Sequence, residues 1–171
     1  MKTIYLARHA KSSWNMGMTR DFDRPLNKRG ETDAIKMAKE LQRLSWLPEK
    51  IISSPAQRAK QTCLAYCDIL EYPVNEIEWN PDIYEAYTVT LLQILSNLEE
   101  STNSIMLIGH NPAMEDLLLQ LCGDAQARKW KQKDGKFLTT GNIVNISFEG
   151  VWKEVTMGSV FLEQLIRPKT I

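Results

Sequence analysis

The chain has 171 residues, 43% hydrophobic and 25% charged, which is enough apolar material for one well-filled core. Lysine plus arginine balances aspartate plus glutamate at 21 each, so no net charge favours nucleic acid or a membrane surface. The chain enters a strand pattern at once with no apolar leader, and no apolar run nears the ~20 residues that span a bilayer, which points to the cytoplasm.

Strand and helix patterns alternate along the chain. An apolar run ends at Arg8, and a polar loop follows over residues 11–26. Residues 27–44 carry Ala34, Met37, Ala38, Leu41 and Leu44 at helical spacing. A strand over residues 50–53 leads to Ser54 as N-cap and Pro55 as first residue of a helix reaching about residue 70. Residues 76–83 read as a strand, and residues 88–99 as an amphipathic helix with Leu91, Leu92, Leu95 and Leu98 on one face. A strand over residues 104–109 is followed by Asn111 as N-cap, Pro112 as first helical residue and Gly123 as terminator. Residues 142–148 and 151–160 alternate around Glu149-Gly150 as a β-hairpin. The expected fold is α/β: a three-layer α/β/α sandwich around a mixed, mainly parallel sheet with a C-terminal β-hairpin, in a single domain over residues 1–171.

Three cysteines are an odd number and make no disulfide framework. Cys63 and Cys67 stand one helical turn apart and Cys122 ends an apolar helix, so all three read as small buried apolar residues. No further ligand stands near them at zinc-site spacing.

The chain has only two histidines, and each directly follows an apolar strand: Thr3-Ile4-Tyr5-Leu6-Ala7-Arg8-His9 and Ser104-Ile105-Met106-Leu107-Ile108-Gly109-His110. Open α/β sheets place ligand sites at the carboxyl ends of strands, so two distant imidazoles can meet there. The strand at residues 50–53 runs into Ser54-Pro55-Ala56-Gln57-Arg58, which sets Arg58 one turn inside a helix. A helix N-terminus favours an anion by up to ~2 kcal/mol, and a guanidinium adds a planar fork that matches phosphate oxygens. Taken singly, each residue has a plain structural reading: His9 as a strand-end hydrogen-bonding group, Arg8 as a surface ion pair, Arg58 as an exposed helical arginine, Asn15 as a turn residue. Two imidazoles and two guanidiniums at three strand-to-helix junctions together point to phosphate chemistry.

In this order the motifs resemble the histidine phosphatase (phosphoglycerate mutase-like) superfamily, and within it the small SixA-type phosphohistidine phosphatases. Arg8-His9 followed by Trp14-Asn15 is similar to the N-terminal signature, Ser53 to Thr62 to the second arginine motif, and Gly109-His110-Asn111-Pro112 to the second histidine motif. Arg24-Pro25-Leu26-Asn27-Lys28-Arg29-Gly30 resembles a helix-entry segment of these enzymes. The resemblance implies a metal-independent phosphatase with no cofactor, in which His9 takes the phosphoryl group. It also implies that Arg8, Arg58 and His110 bind its oxygens, with Asn15 as an auxiliary donor. Glu85 falls where many relatives carry the proton donor. Ala10 stands where most of the superfamily has glycine.

Relatives acting on sugar phosphates or bisphosphates generally carry long insertions that build a lid, whereas here the connection from the second strand-helix unit to Glu85 is short and residues 123–138 are the only extended candidate. The expected substrate is therefore a phosphorylated protein, carrying phosphohistidine on a phosphotransfer or signalling protein, with no nucleic acid or membrane partner. The alternatives are a phosphatase of small phosphomonoesters and an inactive phosphoprotein-binding module. Residues 128–136, Arg-Lys-Trp-Lys-Gln-Lys-Asp-Gly-Lys, form the one basic cluster. They read either as a solvated loop or as a docking rim anchored by Trp130.

Overall fold

The computed structural model describes residues 1–14, 17, 20–156 and 159–171. Its sheet has six strands: β1 (Lys2–Arg8), β2 (Lys50–Ser53), β3 (Glu78–Trp79), β4 (Ser104–Gly109), β5 (Ile143–Glu149) and β6 (Ser159–Ile166). Their order is β3-β2-β4-β1-β5-β6. The first four are mutually parallel, while β5 runs antiparallel to β1 and β6 antiparallel to β5.

Side-chain alternation along the strands explains the layers. Ile4 and Leu6 of β1, with Ile105 and Leu107 of β4, enter one core, which α3 (Thr88–Ser96) and α4 (Ala113–Ala127) cover through Leu91, Leu95, Met114 and Leu117. Tyr5, Ala7, Met106 and Ile108 enter the opposite core, covered by α1 (Lys28–Arg43) and α2 (Gln57–Leu70) through Met37, Leu41, Cys63 and Tyr66. A strand buried on both faces needs an unbroken apolar run, which is how β1 and β4 read in the sequence. Cys63, Cys67 and Cys122 are free thiols buried in this packing.

Several local expectations change. Helix α2 begins at Gln57 with Ala56 at its N-cap, and Ser54 caps nothing: its hydroxyl accepts from the Ala56 N–H at 3.2 Å and meets His110 Nε2 at 2.8 Å. The strand expected over residues 76–83 shrinks to Glu78–Trp79 between two 3-10 turns, Val74–Glu76 and Pro81–Ile83. Pro73 and Pro81 explain this, since each fixes φ and removes a ladder donor. Pro112 is the N-cap of α4, and the Asn111 amide turns away to donate to Leu138 O at 2.8 Å. Gly123, at φ 71° and ψ 159°, leaves helical geometry and ends the first run of α4 as expected, and a second short helical run continues to Ala127.

The C-terminal hairpin is present, but its second strand lies later than expected, at Ser159–Ile166. Trp152 explains the longer connection. It is fully buried, edge-on to Phe148 at 5.2 Å, and its indole N–H donates to Thr102 O at 2.9 Å. The segment after β5 is thereby spent on filling the core.

Gly30 opens the way for α1. A Cβ there would lie 2.0 Å from the Lys11 carbonyl oxygen, so only glycine lets the helix start against the turn that follows His9. Asn27 holds the same junction, its side chain accepting from Gly30 N–H at 2.8 Å and its own N–H donating to Lys11 O at 3.0 Å. Among the described residues no helix is long and apolar enough to cross a membrane.

Candidate active site

Strand register brings the site together. Arg8 pairs with Gly109 across β1 and β4, so His9 and His110 leave two adjacent parallel strands at the same level. Neighbouring strands run ~4.8 Å apart, and the two imidazole centroids lie 5.1 Å apart. Ser53 pairs with Ile108, which puts Ser54 one strand further on, level with Gly109 and next to His110. Gly109 is required by its surroundings, since a Cβ there would lie 2.9 Å from Ile83 Cγ2 and 3.0 Å from Met114 Sδ.

His9, Arg58 and His110 are all buried, with 6%, 7% and 7% exposure. His9 Nδ1 lies 2.7 Å from the carbonyl oxygen of Ala10, an acceptor only, so Nδ1 carries the proton and Nε2 holds the lone pair. The Arg58 Nε–H donates to that Nε2 at 3.3 Å. Thr62 ties α2 to the turn beneath His9: its hydroxyl accepts from Ala10 N–H at 3.0 Å and donates to Arg58 O at 2.7 Å.

Burial keeps both imidazoles neutral. It lowers His9 well below the ordinary histidine value, helped by His110 and by the guanidiniums of Arg58 and Arg8, against the opposing Ala10 hydrogen bond. His110 falls to about 3 for the same reasons of burial and neighbouring arginine charge, with Asp21 opposing. Arg8 donates through one terminal nitrogen to Leu138 O at 3.0 Å. Its charge acts on both histidines, and that of Arg58 acts on it. Gly141 N–H meets the carbonyls of both Arg8 and His9, which places the segment around residues 138–142 as the floor of this corner.

Arg58, His110 and Glu85 line a common cleft of 390 Å³ with Asp21, Tyr84 and Tyr87. Glu85 is exposed at its mouth. A second cleft of 320 Å³, lined by Lys50, Glu78 and Asp82, contains neither histidine. Asn15 lies outside the described residues. Trp130 is not an outward anchor, as the docking-rim reading would need: it is half-buried against the α3–α4 core, with Lys129 Nζ 5.3 Å over its ring.

Three polar contributors are not apparent in the sequence. Asp21 receives two bonds from Arg58, at 2.8 Å to its carbonyl and 3.0 Å to its carboxylate. The Tyr84 hydroxyl donates to the same carboxylate at 2.7 Å. Among the described residues the His110 ring hydrogen-bonds only to the Ser54 hydroxyl, and its Nδ1 is buried without a partner. Asp21 stands in a polar loop, and Tyr84 next to the glutamate that draws attention. The one available signal was that the Arg24-Pro25-Leu26 motif must carry the preceding loop back toward the site.

Residues 4–89 match the family model of the histidine phosphatase superfamily, branch 1. The chain belongs to that superfamily. An uncharacterized chloroplastic protein of Arabidopsis thaliana is 35% identical over 130 residues, covering 71% of this chain and 60% of that protein. Among solved structures, a candidate phosphohistidine phosphatase SixA from Agrobacterium tumefaciens is 28% identical with a TM-score of 0.82, covering 98% of each chain. The protein histidine phosphatase SixA complexed with tungstate shares the fold, with a TM-score of 0.80 at 21% identity over 98% of this chain and 97% of that one. Membership of the histidine phosphatase superfamily and the SixA-like fold support phosphatase chemistry as the reaction class.

Proposed function

We propose that this protein hydrolyses phosphohistidine on a protein, in two steps through a phosphorylated His9 and without a metal. The observation that carries the reading is the setting of His9. Its Nδ1–H is held by Ala10, and its Nε2 lone pair faces the cationic edge of Arg58. In the first step Nε2 bonds to phosphorus and the P–N bond to the substrate imidazole breaks. That imidazole leaves as a neutral base when its distal nitrogen carries a proton. In the second step water attacks phosphorus, the P–Nε2 bond breaks with its electron pair returning to Nε2, and the water's protons leave on the phosphate; the His9 Nδ1 keeps its own proton, donated to the Ala10 carbonyl.

Phosphoryl transfer depends on positioning and on charge stabilisation. Arg8, Arg58 and His110 are proposed to supply both, with Asn15 as a further donor. Hydrogen bonds to charged groups contribute ~1.5–3 kcal/mol each, so several must act together in a water-poor site. A histidine nucleophile splits one difficult displacement into two easier ones. A protein-borne substrate is supported by the cleft rim, where Glu85 and Tyr87 stand exposed, and by likeness to the Agrobacterium SixA.

The test is trapping with ³²P-labelled phosphohistidine peptide. Wild-type protein should take up acid-labile, base-stable label, and His9→Ala should take up none while losing at least ~10³-fold in turnover. A folded His9→Ala protein that keeps its activity ends the assignment. Activity lost in EDTA and restored by a divalent cation ends the metal-independent scheme. Side-by-side assays with alkyl phosphates separate the small-phosphomonoester reading, and an unlabelled, inactive wild type would indicate a binding module.

A further inference from the structure

We propose that Asp21, held by Tyr84, is a positioning residue that turns the Arg58 guanidinium so that its Nε edge faces His9. The inference rests on the reading of His9 and Arg58 as the phosphoryl site and goes beyond it. Asp21 grips the outer side of Arg58 twice, with its carbonyl at 2.8 Å and a carboxylate oxygen at 3.0 Å. The remaining Nε–H is left 3.3 Å from His9 Nε2. A guanidinium is planar, so fixing both terminal nitrogens fixes where Nε points.

Both oxygens of the carboxylate are themselves held. One oxygen also accepts from Tyr84 Oη at 2.7 Å, and the other accepts from Arg24 at 2.7 Å. Arg24 is anchored in turn by the Ser12 hydroxyl at 2.6 Å and the Ser13 carbonyl at 2.9 Å. Tyr84 stands edge-on to His110 at 5.6 Å and to Phe22 at 5.0 Å. One loop residue thereby joins the guanidinium, the ring against the second histidine and the entry to α1 in a single frame.

The charge of Asp21 gives the proposal its discriminating consequence. A carboxylate in a phosphate cleft repels the ligand and weakens ground-state binding. Its hydrogen bonds from Tyr84 and Arg24 and the charge of Arg58 outweigh desolvation and hold it at about 2, so it stays ionised at neutral pH and is no proton donor. A group that weakens binding while ordering Arg58 acts on turnover.

The experiment compares wild type with Asp21→Asn, Tyr84→Phe and the double variant. It measures kcat and KM on phosphohistidine peptide and on p-nitrophenyl phosphate, competitive inhibition by inorganic phosphate, and the ¹⁵N resonance of Arg58 Nε. Asp21→Asn should lower kcat at least tenfold while phosphate inhibits equally well or several-fold better, and the Arg58 Nε signal should shift or broaden. Tyr84→Phe should lower kcat less, and add nothing in the Asp21→Asn background. Folded Asp21→Asn with kcat within twofold of wild type overturns the proposal, as does a parallel loss of kcat and phosphate affinity. If Asp21→Asn does not fold, Tyr84→Phe decides: wild-type kcat overturns it, and a lower kcat with unchanged phosphate inhibition supports it. Failure of the functional reading is separate and appears in the wild type, as active protein that phosphate does not inhibit and that takes up no label.

Discussion

Arg8 and Gly109 face each other across the parallel β1–β4 ladder, and the next residue on each strand is a histidine. A slip of one residue in that register would turn one of the following side chains to the opposite face of the sheet. The pairing of His9 with His110 is therefore a property of strand alignment, which the alternating burial of Ile4, Leu6, Ile105 and Leu107 in one core enforces.

Stability should fall as the medium becomes acidic. Burial holds His9 well below, and His110 at about 3 against, the ordinary value of 6.5, so the unfolded chain binds protons that the fold refuses. The histidine contribution is complete above pH 6.5. From His110 alone ~2 kcal/mol is lost by pH 5, and more follows until about pH 3. Asp21 acts lower on the scale: held at about 2 rather than 3.8, its contribution is present above 3.8 and disappears as pH drops through 2. Thermal unfolding at pH 7.5, 6 and 5 should show a steady fall in Tm, and a flat Tm would mean that the imidazoles are not buried neutral.

Ser54→Ala should impair both folding and catalysis. The hydroxyl lies 2.8 Å from His110 Nε2, and the other ring nitrogen has no partner among the described residues. Leaving a buried polar group unpaired costs ~1–3 kcal/mol of stability, and a His110 ring that has lost its orienting partner should lower kcat/KM by about tenfold or more. Steady-state kinetics on phosphohistidine peptide would check this. Unchanged kcat/KM would show that His110 needs no orienting partner.

Glu85→Gln should separate substrate classes. An alkoxide is a poor leaving group, and a positioned acid is worth ~10²–10⁴-fold to it. The imidazole of phosphohistidine leaves as a neutral base and needs less help. Hydrolysis of an alkyl phosphate should therefore slow far more than that of phosphohistidine. Equal losses on both would assign Glu85 to holding the phosphoryl group or water, and no loss on either would place it outside the chemistry.

Neutralising Lys129, Lys131 and Lys133 together should weaken action on a phosphoprotein most at low salt, with small substrates unaffected. All three are exposed, while Trp130 is packed inward, so any docking by this loop is carried by charge. Rates at several ionic strengths measure it. An unchanged salt dependence makes the segment a solvated loop.

Much of this protein is legible in its residue pattern because the pattern reports local and periodic constraints. Apolar runs before His9 and His110 can only be strands buried on both faces, and the spacing of Ala34, Met37, Ala38 and Leu41 can only present one face as a helix. The four groups Arg8, His9, Arg58 and His110 were readable because each sits beside a strand end, where this class of sheet gathers its ligands. The strand-end pattern also locates helix α2, but not the duty of Ser54: a serine before a proline signals a cap, and only the adjacency of β2 and β4 offers it His110 instead. Residues 76–83 have strand composition, yet an edge with two flanking prolines leaves little ladder to form. Asp21 and Tyr84 depend entirely on tertiary structure. One opens the short 3-10 turn Asp21–Asp23 in a polar segment and the other follows the 3-10 turn Pro81–Ile83, and their meeting at Arg58 arises from Gly30 letting α1 close on Lys11 and from Arg24 clamping the segment to Ser12 and Ser13. Periodicity records which face of an element is buried. Which loop side chain completes a charged site is decided by distances between elements, and those exist only in the folded chain.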